Sequence, residues 1–175
     1  MDLAEVAAHI EIQQVLYRYC RGVDRGDAAM IASVYHPGAI DRHGAWSGPG
    51  KSFAEYLVPN MDKAGRVGQH HITNALIEVR GDEARVESYY IALHPETREG
   101  GTGHVLVCGR YLDRFARRDG AWLIDDREVM VDVSRPLTDV ADWAGAANFP
   151  AGQRREADRS AELFARRAPA DLADA

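Results

Sequence analysis

The first long β-patterned run of the chain opens with Gln69-His70-His71-Ile72-Thr73-Asn74. Successive side chains of a strand point to opposite faces, so His70, Ile72 and Asn74 should share one face and His71 the other. Two neighbouring histidines on a strand are poorly placed to hold one metal ion together, but one of them can face an interior cavity. Imidazole titrates near neutral pH and suits acid–base catalysis. Taken alone, the spacing favours a plain polar patch that happens to contain two histidines.

The segments that follow are also β-patterned, rich in β-branched and aromatic residues. The predicted strands are residues 70–79, 84–94, 104–117 and 121–133. Residues 80–83 and 118–120 have the composition of tight turns, whereas residues 96–103 predict a longer, glycine-bearing loop. Strands joined by hairpins indicate an antiparallel, strongly twisted meander.

The chain before residue 65 is helical in pattern. Residues 3–24 carry an apolar stripe at helical spacing, formed by Ile12, Leu16, Tyr19 and Val23. Further predicted elements are a second helix over 28–35, a short strand over 39–43, a Gly/Pro loop over 46–50, and a third helix over 52–64 that contains Pro59. Helices followed by strands indicate an α+β fold, with the helices packed on one face of a curved sheet.

Composition narrows the function classes. The formal net charge of −6 argues against a nucleic-acid-binding surface, which needs a positive field. No apolar run approaches the roughly 18–20 residues of a membrane span, and the N-terminus lacks the basic and apolar regions of a secretory signal. The two cysteines, Cys20 and Cys108, form neither a metal motif nor a disulfide scaffold, which favours reduced thiols and the cytoplasm.

The length of 175 residues suits one domain with a tail. We predict a domain over residues 1–135 and an extension over 136–175. In the extension, residues 136–151 look irregular and residues 154–167 read as a charged helix. Three roles stay open for it: a loose arm, a lid over a pocket mouth, or a contact with a neighbouring subunit.

Several short sequences are similar to those of a known family: Tyr19-Cys20-Arg21-Gly22-Val23-Asp24, Val34-Tyr35-His36-Pro37, His70-His71-Ile72-Thr73-Asn74, Tyr111-Leu112-Asp113-Arg114-Phe115 and Arg118-Asp119-Gly120-Ala121-Trp122 with Arg127. With this order of elements, residues 5–135 resemble the SnoaL-like branch of the nuclear transport factor 2-like superfamily. The resemblance implies a cone-shaped α+β barrel around a pocket. The superfamily includes cofactor-free dehydratases, a dehydrochlorinase, isomerases and cyclases, together with non-catalytic subunits.

The resemblance also implies roles for four residues. His70 would be the general base and Asp24 its partner, which would fix the ring tautomer and stabilise the imidazolium. Tyr19 and Arg127 would assist. Each has a structural alternative: Asp24 as a helix-end turn residue, Tyr19 as core packing, and Arg127 as a surface arginine. A buried Arg127 must be paired, and we expect it to meet Asp24 or an anionic group of the substrate.

Other residues are weaker candidates. We expect Tyr90, Ile40, Asn74 and Val129 to line the pocket, with Arg42 as an alternative to Ile40. The remaining histidines have no supporting pattern and are expected on the surface or in loops: His36, His43, His94 and His104. Recognisable ligand spacing such as His-Glu-x-x-His is absent from the sequence, so we predict neither a metal nor a cofactor.

The predicted function is a cofactor-independent lyase that carries out a dehydratase-like elimination on an apolar, ring-containing small molecule, in aromatic or steroid catabolism. An isomerase or cyclase using the same dyad is the first alternative, and a non-catalytic binding or assembly subunit is the second. We also expect a homo-oligomer, either a trimer or a dimer, with a sheet contact through Val105, Val107 and Tyr111.

Overall fold

The computed structural model describes residues 1–63, 67–98, 101–137 and 144–165. The helices are α1 (Leu3–Arg25), α2 (Ala28–Ser33), α3 (Phe53–Lys63) and α4 (Arg159–Ala165). The strands are β1 (Tyr35–His43), β2 (Trp46–Pro49), β3 (Gln69–Arg80), β4 (Glu83–Arg98), β5 (Gly101–Arg118) and β6 (Ala121–Leu137). Short 3-10 turns lie at Gly50–Ser52, Ala144–Asn148 and Arg155–Ala157.

The strands form one curved sheet in the order β2-β1-β6-β5-β4-β3. β1 and β6 pair in parallel, and the other neighbouring strands pair antiparallel. α1 packs on this sheet against β3 and β6, and the core lies between them. The predicted α+β class is therefore confirmed, and so is the antiparallel meander from β3 to β6.

Helix α1 is fixed at both ends by local chemistry. The Asp2 carboxylate accepts a hydrogen bond from the backbone N–H of Glu5 at 2.8 Å, which caps the first turn. At the other end Gly26 adopts a left-handed conformation with φ of 64°, a backbone geometry that glycine tolerates best. The predicted stripe, including Tyr19, is buried against the sheet. These ends place Asp24 in the last turn of the helix.

The segment after α2 differs from the prediction. The helix expected over 28–35 ends at Ser33, because Tyr35 already pairs with Ile124 of β6 at the start of β1. The loop expected over 46–50 forms β2 instead. Gly44, with φ of 64°, lets the chain reverse so that Trp46 pairs with His43. Tertiary pairing therefore overrides the local glycine and proline signals.

The hairpin between β4 and β5 is also longer than predicted. The loop expected over 96–103 was wrong, since Glu96 pairs with Gly103 and Thr97 with Thr102. Once two strands are in register, pairing of backbone groups carries the ladder onward without an apolar side-chain pattern. The hairpin therefore extends well past the last residues that sequence periodicity could identify.

The two faces of the sheet carry different apolar residues. The expected contact through Val107 and Tyr111 is wrong for these residues, because both lie on the inner face, where Tyr111 is buried and Val107 packs on the core. The outer face exposes a different apolar set: Leu76, Tyr89, Ile91 and Val133. The homo-oligomer itself stays a prediction.

The C-terminal extension begins its helix later than predicted. Asp158 accepts a hydrogen bond from the backbone N–H of Ser160 at 3.0 Å, and α4 starts directly after it. Residues 166–167 of the predicted helix lie outside the described residues, as do residues 138–143. None of the described helices is both long enough and apolar enough to span a membrane.

A substitution at Gly109 tests how closely β5 and β6 approach each other on the inner face. A β-carbon there would overlap the carbonyl oxygen of Met130 and crowd the Tyr90 hydroxyl. We expect Gly109→Ala to lower the free energy of unfolding by about 2 kcal/mol, because the backbone of β6 cannot easily move away. Urea denaturation measures this change. Gly152→Ala is the control, since its β-carbon would meet Val67 at an ordinary 3.4 Å. Equal stability of the two variants would contradict the close approach of β5 and β6 at Gly109.

Candidate active site

The end of α1 and the start of β3 meet through a histidine–aspartate pair. The ring Nδ1 of His70 lies 2.6 Å from Oδ1 of Asp24. The backbone N–H of His70 donates to the other carboxylate oxygen at 3.1 Å. The side chains are 5% and 14% exposed, so water screens the pair only weakly. Asp24 therefore fixes both the backbone and the ring of His70.

This geometry leaves one ring nitrogen of His70 available. A carboxylate only accepts hydrogen bonds, so Nδ1 carries the proton and Nε2 keeps its lone pair. A base oriented by a carboxylate in this way can take a proton, and the carboxylate then stabilises the resulting imidazolium. His71 is exposed on the opposite face, as the strand alternation predicts.

A second histidine lies against His70. The ring of His94 meets it edge-on, with 4.9 Å between ring centroids. Burial, together with the neighbouring His70 and His43, lowers the pKa of His94 to about 4, so this ring is neutral at pH 7. The expectation that His94 lies on the surface was wrong. Its alternation with the buried residues Tyr90 and Ala92 on β4 is the sequence signal that identifies the inner face.

Arg127 lies at the centre of the inner face and is fully buried. Its Nε and Nη2 donate to the two carboxylate oxygens of Asp113, each at 2.7 Å. The rings of Tyr19 and Tyr111 cover its guanidinium, with 4.2 Å from each ring centroid to the guanidinium carbon. The expected pairing of Arg127 with Asp24 is thus corrected, since Asp113 is the partner. The surface alternative for Arg127 is also excluded.

Charges near Arg127 are arranged by strand register. Arg127 pairs with Asp113 on β5 and with Asp41 on β1, so two carboxylate residues flank it in the sheet. Burial is the largest single influence and opposes the charge of Arg127, but the Asp113 carboxylate together with Tyr35 and Tyr19 raises the pKa of the guanidinium. Burial also raises the pKa of Tyr19, although Arg127 opposes the shift, so the hydroxyl keeps its proton.

Two residues of β1 also differ from expectation. Asp41, rather than its neighbours Ile40 and Arg42, is the buried residue in this part of β1. Its carboxylate accepts a hydrogen bond from the Tyr35 hydroxyl at 2.5 Å. Ile40 lies on the other face with Arg42, which is ion-paired to Asp126, so neither occupies the inner position expected of a pocket-lining residue.

Two further histidines are placed differently from the prediction. His43 stacks on Phe53 with 4.4 Å between ring centroids, and its Nδ1 lies 3.5 Å from the Asp41 carboxylate. His36 is buried and donates from Nε2 to the carbonyl oxygen of Ala116 at 2.8 Å. The surface or loop environment expected for both was wrong. The burial of His36 depends on β5, whose Ala116 lies 80 residues away in the sequence.

The other residues predicted to line the pocket differ in their exposure. Asn74 is exposed, because a β-bulge between Ile72 and Ala75 turns it away from the face that His70 occupies. Tyr90 is buried; it stacks on Tyr111 at 4.6 Å and donates from its hydroxyl to the Met130 carbonyl at 3.1 Å. Val129 is partly buried and packs on the core.

A pocket of about 300 Å³ opens beside the dyad. Its walls come from α1, the start of β3 and α4: Tyr17, Cys20, Arg21, Asp24, Arg25, His70, Ile72 and Phe164. The tyrosines around Arg127 occupy the centre of the inner face, so this open space lies towards α1 and the C-terminal segment. A larger hollow of about 480 Å³ lies at the β3–β4 turn around Arg80, but no dyad residue lines it. We therefore take the smaller pocket as the candidate active site.

Metal ligands do not cluster at the site. Within residues 1–63, 67–98, 101–137 and 144–165, no three or more His, Cys, Asp or Glu side chains are grouped so that they could hold a metal ion. What the described residues offer at the pocket is a set of side-chain acids, bases and hydrogen-bond donors.

Comparison with known proteins identifies the family. The SnoaL-like domain matches residues 4–128, most of the chain. The chain belongs to the SnoaL-like domain family. An uncharacterized protein of Mycobacterium tuberculosis (strain ATCC 25618 / H37Rv) is 28% identical over 131 residues, which are 71% of this chain and 85% of that protein. The matched segment of the family contains both His70 and Asp24, whereas Phe164 of α4 lies beyond it.

Solved structures share the fold of this SnoaL-like chain. The hexachlorocyclohexane dehydrochlorinase LinA-type3 from Novosphingobium barchaimii LL02 superposes with a TM-score of 0.70 at 24% identity, covering 82% of this chain and 99% of that one. A scytalone dehydratase-like protein of Novosphingobium aromaticivorans DSM 12444 superposes with a TM-score of 0.66 at 20% identity, covering 78% and 92%. These likenesses confirm the predicted cone-type α+β fold, although the sheet is not closed.

The buried ion pair yields a stability prediction. Asp113→Asn would remove the carboxylate that is hydrogen-bonded to the buried Arg127 guanidinium, and we expect it to lower the free energy of unfolding by about 3–5 kcal/mol. Asp82→Asn is the matched control, because Asp82 pairs with Arg117 at the exposed surface, where a salt bridge contributes at most about 1 kcal/mol. Urea denaturation at pH 7 compares the two. A small effect of Asp113→Asn would contradict the charged state assigned to the pair.

His94 yields a pH prediction. Its pKa in the folded protein lies below that of the unfolded chain, so the unfolded chain binds more protons between about pH 6.5 and pH 4. The contribution of His94 should therefore make the fold less stable as pH falls through this window, by up to about 1.4 kcal/mol per pH unit. Urea denaturation at pH 7 and pH 5 should show a smaller pH dependence for His94→Gln than for the wild type. The exposed-site control His71→Gln should keep the wild-type dependence, and identical behaviour of all three would refute the assignment.

Proposed function

We propose that the chain catalyses a cofactor-independent elimination on a small, apolar, ring-containing molecule, with His70 as the general base. The observation that carries the proposal is the 2.6 Å hydrogen bond between His70 and Asp24 at the wall of a pocket. It supplies a base with a fixed tautomer and a neighbouring carboxylate, the equipment needed to remove a proton from carbon.

The electrons balance without a further reactant. The Nε2 lone pair of His70 takes a proton from a carbon next to the one that bears the leaving group. The C–H electrons form a carbon–carbon double bond, and the leaving group departs with its own bonding pair. Asp24 stabilises the imidazolium through the Nδ1–H bond during this step. The imidazolium can then return its proton to a departing hydroxide, which completes the loss of water.

The neighbours of His70 have separate roles in this proposal. His94 does not line the pocket; it is neutral at pH 7 and packs edge-on against the His70 ring, so we assign it to positioning of the base. Tyr19 and Arg127 are buried behind the pocket wall, so we assign them to positioning rather than to direct contact with the leaving group. Their stacked arrangement holds the last turns of α1, and with them Asp24, against the sheet.

The same geometry favours an enzyme over a non-catalytic subunit. A histidine without a carboxylate neighbour would have suited a binding or assembly role, but both oxygens of Asp24 are engaged by His70. The pocket volume of about 300 Å³ lies at the lower end of the range for small-molecule sites. The substrate should therefore be compact, such as a single substituted ring or two fused rings.

The structural neighbours suggest substrates for a first panel. One is named a hexachlorocyclohexane dehydrochlorinase and another is scytalone dehydratase-like, and both names describe the loss of a small molecule. We propose the same reaction type for this chain, with hydrogen chloride or water as the product lost. A panel of chlorinated cyclohexanes and fused-ring β-hydroxy ketones covers both leaving groups.

Turnover of this panel by the wild type and by dyad variants tests the proposal. His70→Gln should lower kcat by about 10²–10⁴-fold, because it removes the base. Asp24→Asn should also lower kcat strongly, because an amide neither fixes the tautomer nor stabilises the imidazolium. Chloride release and product mass are the measurements.

His71→Gln is the matched control, since His71 lies next to the base but faces outwards. It should turn over the same substrate at close to the wild-type rate. Full activity of His70→Gln would refute the mechanism. A product with the same mass as its substrate would instead identify an isomerase or cyclase.

A further inference from the structure

Two guanidinium groups line the pocket beside the dyad. They belong to Arg21 and Arg25, and the carboxylate residue among the described lining residues is Asp24. Both oxygens of Asp24 already accept hydrogen bonds, one from the backbone and one from the ring of His70. While the His70 ring is neutral, the described walls of this pocket therefore hold more positive than negative charge.

Arg21 has donors that the described protein groups do not use. Its Nη1 donates to the Ser160 hydroxyl at 3.0 Å rather than to a carboxylate. Its Nε and Nη2 make no hydrogen bond within residues 1–63, 67–98, 101–137 and 144–165, and neither atom is closed off from solvent. A ligand can therefore reach both nitrogens.

The two free nitrogens of Arg21 form one edge of its guanidinium. Arg127 uses the same two atoms, Nε and Nη2, to hold both carboxylate oxygens of Asp113 at 2.7 Å. Arg110 uses them in the same way, at 3.0 Å, to hold Asp132. The planar fork of N–H groups on this edge matches the two oxygens of a carboxylate. Arg21 therefore keeps free the edge that binds carboxylates elsewhere in this protein.

Contacts with α4 hold the Arg21 side chain in place. Its guanidinium carbon lies over the Phe164 ring, 4.6 Å from the ring centroid. The hydrogen bond to Ser160 fixes a second point of the guanidinium. A side chain that is ordered before a ligand binds loses less conformational entropy on binding. The free edge of Arg21 is therefore preorganised.

The other arginines near the pocket are less suited to hold an anion. Nε of Arg25 lies 3.7 Å from the Asp158 carboxylate, and its buried Nη1 makes no hydrogen bond within the part of the chain that the structure describes. Arg127, which the sequence suggested for an anionic group of the substrate, is fully buried and engaged by Asp113. Among these three arginines, Arg21 is the one that lines the pocket with its carboxylate-binding edge free.

Arg21 stands where the candidate active site meets a neighbouring space of about 440 Å³, which it also lines. Two carboxylate residues line that space. Asp27 caps α2 by accepting a hydrogen bond from the Met30 N–H at 2.9 Å, and Glu156 is exposed. Neither is hydrogen-bonded to Arg21, so this boundary has room for an acceptor that comes with a ligand.

We propose that the pocket beside His70 binds a ring-containing carboxylate and that Arg21 holds the carboxylate group through Nε and Nη2. The apolar side chains of Ile72 and Phe164 line the same pocket and can contact the ring. We take this pocket as the substrate site, so the assignment rests on the proposed function. It narrows the substrate from any compact ring compound to one that bears a carboxylate.

An NMR titration of the full chain with benzoate and with benzamide tests this assignment. The two ligands have nearly the same shape, but only benzoate is charged at pH 7. At constant ionic strength, benzoate should shift the His70 ring signals saturably. It should bind about ten-fold or more tightly than benzamide, because its hydrogen bonds to Arg21 are charge-assisted. The signals of His71, which faces outwards, serve as the internal reference.

Variants of α1 assign the preference for benzoate to one side chain. Arg21→Gln should lower the affinity for benzoate to near that for benzamide and change the affinity for benzamide little. Arg21→Lys keeps the charge but loses the fork, so its preference should lie between those of the wild type and Arg21→Gln. Arg18→Gln is the matched control, since Arg18 is an exposed arginine of the same helix outside the lining. It should keep the wild-type preference.

Ser160→Ala separates anion binding from the support of α4. It removes the hydrogen bond between α4 and Arg21 but leaves the Nε and Nη2 edge, so the preference for benzoate should persist. Three results would overturn the proposal: no saturable shift at His70, equal affinity of the wild type for both ligands, or an equal loss for both ligands in Arg21→Gln that circular dichroism shows to be folded. No turnover is measured, so a failure here is distinct from a failure of the elimination, which the dyad variants test.

Discussion

The buried ion pair between Arg127 and Asp113 is the interaction on which the interior depends. A fully buried guanidinium needs a compensating charge, and here β5 supplies the carboxylate while two tyrosine rings each lie 4.2 Å from the guanidinium carbon. One of those rings, Tyr19, belongs to α1, so the pair ties the first helix to the last strands. This cluster occupies the centre of the inner face and leaves the open space at its edge, beside His70.

That edge is where α1 ends, and the end of α1 decides what His70 can do. Gly26 stops the helix so that Asp24 stands in its last turn, within reach of both the backbone and the ring of the first inward-facing residue of β3. The Asp24 carboxylate sets the tautomer of the neutral His70 ring through its hydrogen bond to Nδ1. The residue at which α1 ends and the residue at which β3 begins therefore determine which ring nitrogen of His70 carries the proton.

Much of this arrangement can be predicted from the sequence, and the predictions that were wrong have identifiable physical causes. The α1 stripe, the hairpin turns and the inward position of His70 follow from periodicity, which is local. The partner of Arg127 and the inner position of Asp41 depend on which strands become neighbours, which is not local. A single bulge displaces Asn74 from its expected face, because one extra residue reverses the alternation of a strand. The inner position of His94, by contrast, is visible in its alternation with Tyr90.

The C-terminal segment gives the pocket its outer wall, and it does so through polar rather than apolar contacts. Arg21 both stacks under the ring of Phe164 at 4.6 Å and donates to Ser160, so one side chain of α1 holds α4 in place. Phe164 remains about half exposed, which means that little apolar burial stabilises this position. The position of α4 over the candidate pocket therefore depends on a few polar and cation–π contacts rather than on a shared apolar core. This wall of the pocket lies outside the matched family region, so the family fold alone does not determine it.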